Sequence, residues 1–229
     1  MRLDRFVSGL GRSEDGALSA ATAIQEWHIK SIHMPKARQT APLKNKARFI
    51  APMRPVMVAN LPADRDKWLL EPKLDGYRAI AVKSGDRADL YSMDRKLYNV
   101  EFPQILEALQ KLSHKDVILD GEIVAVEPSG RPNFNALQNR RSTKLPIYYV
   151  AFDCLHFEER DLLETAIEER KKVLAKVTAD FVKPLQPIFE FGPEVDLDTA
   201  ISVVRQTKIE GLVAKRLGSH YVQGQESDL

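Results

Sequence analysis

Cysteine is almost missing: Cys154 is the only one in 229 residues, which excludes an internal disulfide and any zinc site built from several thiolates. The five histidines are scattered and none stands in a His-Glu-x-x-His pattern, so any metal has to be held by carboxylates, phosphates and water. No apolar run is long enough to span a bilayer, and the first ten residues carry Arg2, Asp4 and Arg5 where a secretory signal would be apolar. A cytoplasmic protein that meets no membrane is the expectation. Both familiar glycine-rich phosphate cradles, Gly-x-Gly-x-x-Gly and Gly-x-x-x-x-Gly-Lys, are also missing. A nucleotide would have to be held by some other arrangement.

What remains is an ordinary globular balance, 44% hydrophobic and 29% charged, with a formal net charge of +2. The charge is unevenly spread. Between Trp27 and Ala63 stand Lys30, Lys36, Arg38, Lys44, Lys46, Arg48 and Arg54, with no acidic residue among them, leaving 27 basic against 32 acidic residues elsewhere. The same stretch holds Pro35, Pro42, Pro52 and Pro55. Residues 1–47 therefore read as a basic, proline-containing extension or linker with one weak helix around Ala17 to Ile32. Such an arm either contacts phosphates or is simply solvated, and composition does not choose.

The folded body begins near Phe49 and runs as one domain over residues 48–229. Apolar runs predict strands at Trp68 to Leu70, Tyr77 to Val82, Ala88 to Tyr91, Val117 to Val126, Ile147 to Phe152 and Leu212 to Ala214. Ser84-Gly85-Asp86-Arg87 is a hairpin turn candidate. Helical spacing groups Phe102, Ile105, Leu106 and Leu109, then Ile167, Val173, Leu174 and Val177, then Leu197, Ile201 and Val204. Strands outnumber helices without alternating with them, which predicts an α+β fold with mainly antiparallel sheets. Cys154 reads as a buried small hydrophobe, and His156 has no partner pattern for a nucleophilic pair. The charge runs Glu158 to Asp161 and Glu168 to Lys172 read as a solvated loop and a solvated helix face.

Chemistry concentrates in Glu71-Pro72-Lys73-Leu74-Asp75-Gly76-Tyr77-Arg78, between two predicted strands. An Asp-Gly turn there brings an amine and a guanidinium to one pocket mouth. Lys-x-Asp-Gly-x-Arg arises by chance in only about one chain in several hundred of this length. With it come four more segments in order: Asp120-Gly121-Glu122-Ile123-Val124-Ala125, Phe134-Asn135-Ala136-Leu137-Gln138, Tyr149-Val150-Ala151-Phe152-Asp153 and Glu210-Gly211-Leu212-Val213-Ala214-Lys215.

On these five segments the chain resembles the covalent nucleotidyltransferases, and within them the ATP-dependent DNA ligases, most of all the bacterial end-joining type. The likeness runs from about Phe49 to Leu229. It implies a nucleotidyltransferase (ATP-grasp-like) adenylation domain with two mainly antiparallel sheets around a nucleotide cleft. It further implies that Lys73 attacks the α-phosphate of ATP, expels pyrophosphate and holds AMP, which passes to a DNA 5′-phosphate before the 3′-hydroxyl seals the nick. An amine attacks only as the free base, a form that neighbouring cations favour. By the same resemblance Glu71 lies near the base, Phe152 stacks on adenine, and Arg78 and Lys215 contact ribose or phosphate. Glu122 and Glu210 meet the ribose and a divalent ion, Mg2+ or Mn2+. Asp75 shapes the turn.

The implied partners are nicked or broken double-stranded DNA and DNA end-binding repair proteins, met by a monomer associated with the nucleoid. Two departures from the family pattern stand out. Met93 replaces the arginine of a Ser-Arg pair in Tyr91-Ser92-Met93-Asp94-Arg95-Lys96, so its contact passes to Arg95 or Lys96 or is lost. After Ser227-Asp228-Leu229 the family continues into two close lysines and an oligonucleotide-binding barrel, which do not follow here. An RNA-end or capping relative, and a catalytically inactive DNA-binding module, stay open as alternatives.

Overall fold

In the computed structural model, residues 47–58 and 64–226 are described; the expected helix around Ala17 to Ile32 lies outside them. The alternation Tyr77 to Ser84 decides the centre of the fold. Ala79 and Ala81 point to one face and Ile80 and Val82 to the other, as the two-residue period of a strand requires. That strand, β2 (Tyr77–Ser84), pairs antiparallel with β3 (Arg87–Ser92) and with β4 (Asp116–Ala125). The β2–β3 connection is the expected two-residue turn, with Ser84 opposite Arg87 and Gly85 at φ +62°, where a side chain would be strained.

β4 is buried along almost its whole length and pairs antiparallel with β5 (Ile147–Phe157). β5 reaches beyond Phe152, where the apolar pattern predicts its end, and turns back on β6 (Arg160–Asp161), so in the run Glu158 to Asp161 the first residue is half-buried, the rest are exposed, and the last two form a short edge strand. β7 (Leu185–Pro187) adds to β5 in parallel. A second sheet contains two strands, β1 (Trp68–Lys73) and β8 (Gly211–Arg216), antiparallel with Lys73 opposite Gly211.

Helices cover these sheets on their apolar sides. α1 (Pro103–Gln110), opened by a proline at its first turn, packs Ile105, Ala108 and Leu109 on the large sheet beside Val173, Leu174 and Val177 of α3 (Ile167–Thr178). Short α2 (Phe134–Gln138) is capped by the Asn133 side chain, which accepts from the Ala136 N–H at 2.9 Å. α4 (Leu197–Thr207), capped by Asp196, lays Ala200, Val203 and Val204 against Leu70 of the small sheet.

α3 overturns one expectation. Glu168 to Lys172 is not a solvated helix face, because Arg170 and Lys171 are buried. Ile167, Arg170, Lys171, Leu174 and Val177 share the inward stripe at helical spacing, and both cations find buried carboxylates there.

Candidate active site

The two sheets leave between them a cavity of about 360 Å3. β1 delivers Glu71 and Lys73 to it on one face while Leu70, the residue before Glu71, points back into the α4 core. β2 and β4 contribute Arg78 and Glu122, which stand opposite each other in the ladder. β5 supplies Phe152 and Asp153, Glu210 stands immediately before β8, and Lys215 comes from near the end of that strand. All seven site residues expected from the sequence, Glu71, Lys73, Arg78, Glu122, Phe152, Glu210 and Lys215, line this one cavity.

Lys73 is ion-paired with Glu210, both partly exposed at the mouth. Deeper in, Arg78 grips Asp120 with two hydrogen bonds of 2.6 Å and lies 4.6 Å over the Phe152 ring. Asp120 also accepts from the Tyr221 hydroxyl at 2.5 Å. Burial alone would weaken Arg78 as a base, but Asp120 more than offsets that and holds it charged. Burial pushes the Glu122 carboxyl up to about 8; Arg78 opposes the shift and Asp120 reinforces it.

On the other wall, the Lys215 amine lies 4.7 Å from the Phe152 ring centre, donates to the Phe152 carbonyl at 3.3 Å and pairs with Glu71 at 2.8 Å. Glu71 is buried and takes a second cation, Lys171, which in turn reaches Glu190 at 2.6 Å. Arg170 forks onto Asp153 at 2.9 and 3.0 Å and donates to the Ser219 carbonyl at 3.1 Å. Two cations thus lie against the Phe152 ring, in a pocket where Glu71, Asp120, Asp153 and Glu210 are ion-paired while Asp75 and Glu122 form no ion pair with a described residue.

A clamp of this kind suits an anionic ligand with an aromatic base. The family model for the ATP-dependent DNA ligase domain matches residues 53–229. The chain belongs to the ATP-dependent DNA ligase domain family. Among its ligase relatives, the multifunctional non-homologous end joining protein LigD of Mycolicibacterium smegmatis is 35% identical over 164 residues, 70% of this chain and 20% of that protein. LigD of Pseudomonas aeruginosa is 32% identical over 234 residues, 99% of this chain and 27% of that protein. The chain thus spans only about a quarter of the length of these ligase relatives. A mycobacterial DNA ligase D solved with ATP and MES superposes with a TM-score of 0.68 at 31% identity, covering 78% of this chain and 57% of that one.

For a ligase domain, the cleft also contains residues to which the sequence reading assigned no role. Asp120 and Asp153 stand inside two of the five ordered segments, and a buried acid beside a motif residue was the available signal. Lys171, which pairs with Glu71 from behind the cleft wall, falls in the run read as a solvated helix face, and nothing local marked it as buried. Tyr221 had none, since its partners lie 101 and 168 residues away. Neither Met93, Arg95 nor Lys96 is among the lining residues; Met93 is exposed, and the Arg95 guanidinium lies 5.6 Å from the Phe49 ring. Cys154 and His156 are buried in β5 away from the cleft, and burial pushes the Cys154 thiol far from its reactive thiolate.

Proposed function

We propose that this domain transfers AMP from ATP to Lys73 and serves the sealing of breaks in double-stranded DNA. The observation that carries this is Lys73 at the end of β1, held at the mouth of a cleft that offers Arg78 and Lys215 for phosphate and Phe152 for a base. When ATP enters, the Lys73–Glu210 pair has to open and Lys73 has to pass a proton to solvent water, because an ammonium is not a nucleophile. The free amine then attacks the α-phosphorus and pyrophosphate leaves. AMP passes from Lys73 to a DNA 5′-phosphate, and the 3′-hydroxyl displaces it to close the backbone.

Arg78 and Lys215 offset the negative charge of the phosphates in a pocket with little water to screen them. A purine stacking on Phe152 replaces the contact that one of these cations makes with the ring. When bound, a magnesium or manganese ion supplies further neutralisation at phosphate oxygens. Glu122 and Glu210, which both line the cleft, would be its donors, and a cation beside Glu122 would draw its raised carboxyl back to the carboxylate. Among the described residues no three His, Cys, Asp or Glu side chains cluster for a metal, so phosphate and water complete such a shell.

The test is incubation with α-labelled ATP or GTP and magnesium, followed by a denaturing gel. An adduct from ATP that Lys73→Ala abolishes is expected. No adduct, or one that survives the substitution, overturns the assignment.

A further inference from the structure

Outside the cleft, one surface gathers unpaired positive charge. Residues 128–152 contain Arg131, Arg140, Arg141 and Lys144 and no acidic residue. Arg131 is taken by Glu127, at 2.8 and 3.0 Å. None of the other three forms an ion pair with a described residue, and the same holds for Lys183, just before β7. Arg140 and Lys183 line an open groove of about 460 Å3 with Gln104, Thr143 and Tyr148, and no carboxylate lines it. Arg141 and Lys144 flank it on the same exposed loop.

The loop is held in shape before any partner arrives. Ser142 and Thr143 donate their N–H groups to the Asn139 carbonyl at 2.9 and 3.1 Å, Asn139 donates its side-chain amide to Asn135 at 2.9 Å, and the Arg140 guanidinium lies 5.5 Å from the Phe102 ring. Preformed cations lose little freedom on binding. They also suit a polyanion whose charges repeat at short spacing.

Placement relates this groove to the cleft. Tyr148, at the start of β5, lines the groove, and Phe152, on the same face of the same strand, lines the cleft. Four residues of strand span about 13 Å. At about 3.4 Å per base pair, that separates the two by about four base pairs of duplex, or five to six once side-chain reach is added. We propose that the Arg140–Arg141–Lys144–Lys183 surface grips the phosphate backbone of one arm of the broken duplex, about five base pairs from the ends being joined. It rests on the reading of the cleft as the adenylation site and adds the track by which DNA approaches it. Contacts to backbone phosphates carry no sequence preference, as sealing at any break demands.

The test reverses the three exposed cations together, Arg141→Glu, Lys144→Glu and Lys183→Glu, beside a control that reverses Lys111, Lys172 and Lys176, which are also exposed. Binding to nicked duplexes is measured across salt, with each arm shortened in turn, and lysyl-AMP formation is measured without DNA. The groove variant is expected to bind at least about tenfold more weakly and to lose about two to three units of salt slope, with adduct formation unchanged. Wild-type affinity is expected to fall when one particular arm drops below about five base pairs, a length at which the variant loses nothing more. Wild-type binding by the groove variant, an equal loss in the control, or a loss independent of arm length overturns the proposal. Absence of the adduct in the wild-type chain would count against the adenylation reading, while the binding series would still decide the groove.

Discussion

Glu71 shows how a single buried carboxylate can hold a wall of the cleft. Burial by itself pushes its carboxyl up, yet the Lys215 and Lys171 ammoniums together outweigh this and leave it below the usual value of 4.5. A carboxyl whose folded pKa is depressed stabilises the fold above its unfolded pKa, and that stability is lost as pH falls through the folded value. Glu71→Gln is therefore expected to cost about 3–5 kcal/mol near neutrality, because two cations lose their buried partner. The gap to wild type should narrow as pH drops below 4.5, which denaturant melts across pH would show. Lys171 does not line the cleft and acts through Glu71. Lys171→Met is expected to slow adduct formation, since Lys215 then has Glu71 without its second anchor. A wild-type rate in the Met variant would show that Glu71 needs no such support.

At the level of elements, the β1–β2 turn is where packing and chemistry meet. A Cβ on Gly76 would sit 2.1 Å from the Ile123 carbonyl and 2.9 Å from a Val124 methyl, so this turn lies directly against β4. Gly76→Ala is expected to cost about 1–3 kcal/mol or more and to move Lys73, three residues earlier, away from Glu210. Thermal melts and the adduct gel report the two effects separately. The strands with clean apolar runs were readable because a buried strand needs little else. β5 ran past its expected end because Asp153 is neutralised by Arg170 and accepts from the Cys154 N–H at 2.9 Å, so a charged residue continues the strand. β7 has only Leu185-Gln186-Pro187, too short for a period, and exists because β5 offers it a partner.

Across the whole molecule, the two ends of the described chain close over the large sheet. Arg54 donates its N–H to the Gln225 carbonyl at 2.9 Å, and Gly224 donates to Ala51 at 3.1 Å. Tyr221 fills the face formed by Ile50, Ile80, Ile118 and Leu155, accepts the Met53 N–H at 2.9 Å and donates to Asp120. Tyr221→Phe leaves that N–H without its acceptor and Asp120 with one donor fewer. A loss of about 1–3 kcal/mol is expected in denaturant unfolding, together with weaker ATP binding, because Asp120 positions Arg78. Among the described residues no helix is long and apolar enough to cross a membrane.

The sequence alone determined the antiparallel α+β architecture, most strand and helix positions, and seven of the residues that line the cleft. Apolar periodicity is local, and the motif residues keep their spacing whatever surrounds them. Tertiary structure decided which charges are paired. The run Glu168 to Lys172 has the composition of a solvated surface, and only packing of α3 against β5 turns Arg170 and Lys171 inward, where burial makes partners obligatory. Likewise Arg140 and Lys183 stand 43 residues apart and become one surface only because the start of β5 lies beside β7. Charge pairing depends on distance through space, which a linear pattern does not encode.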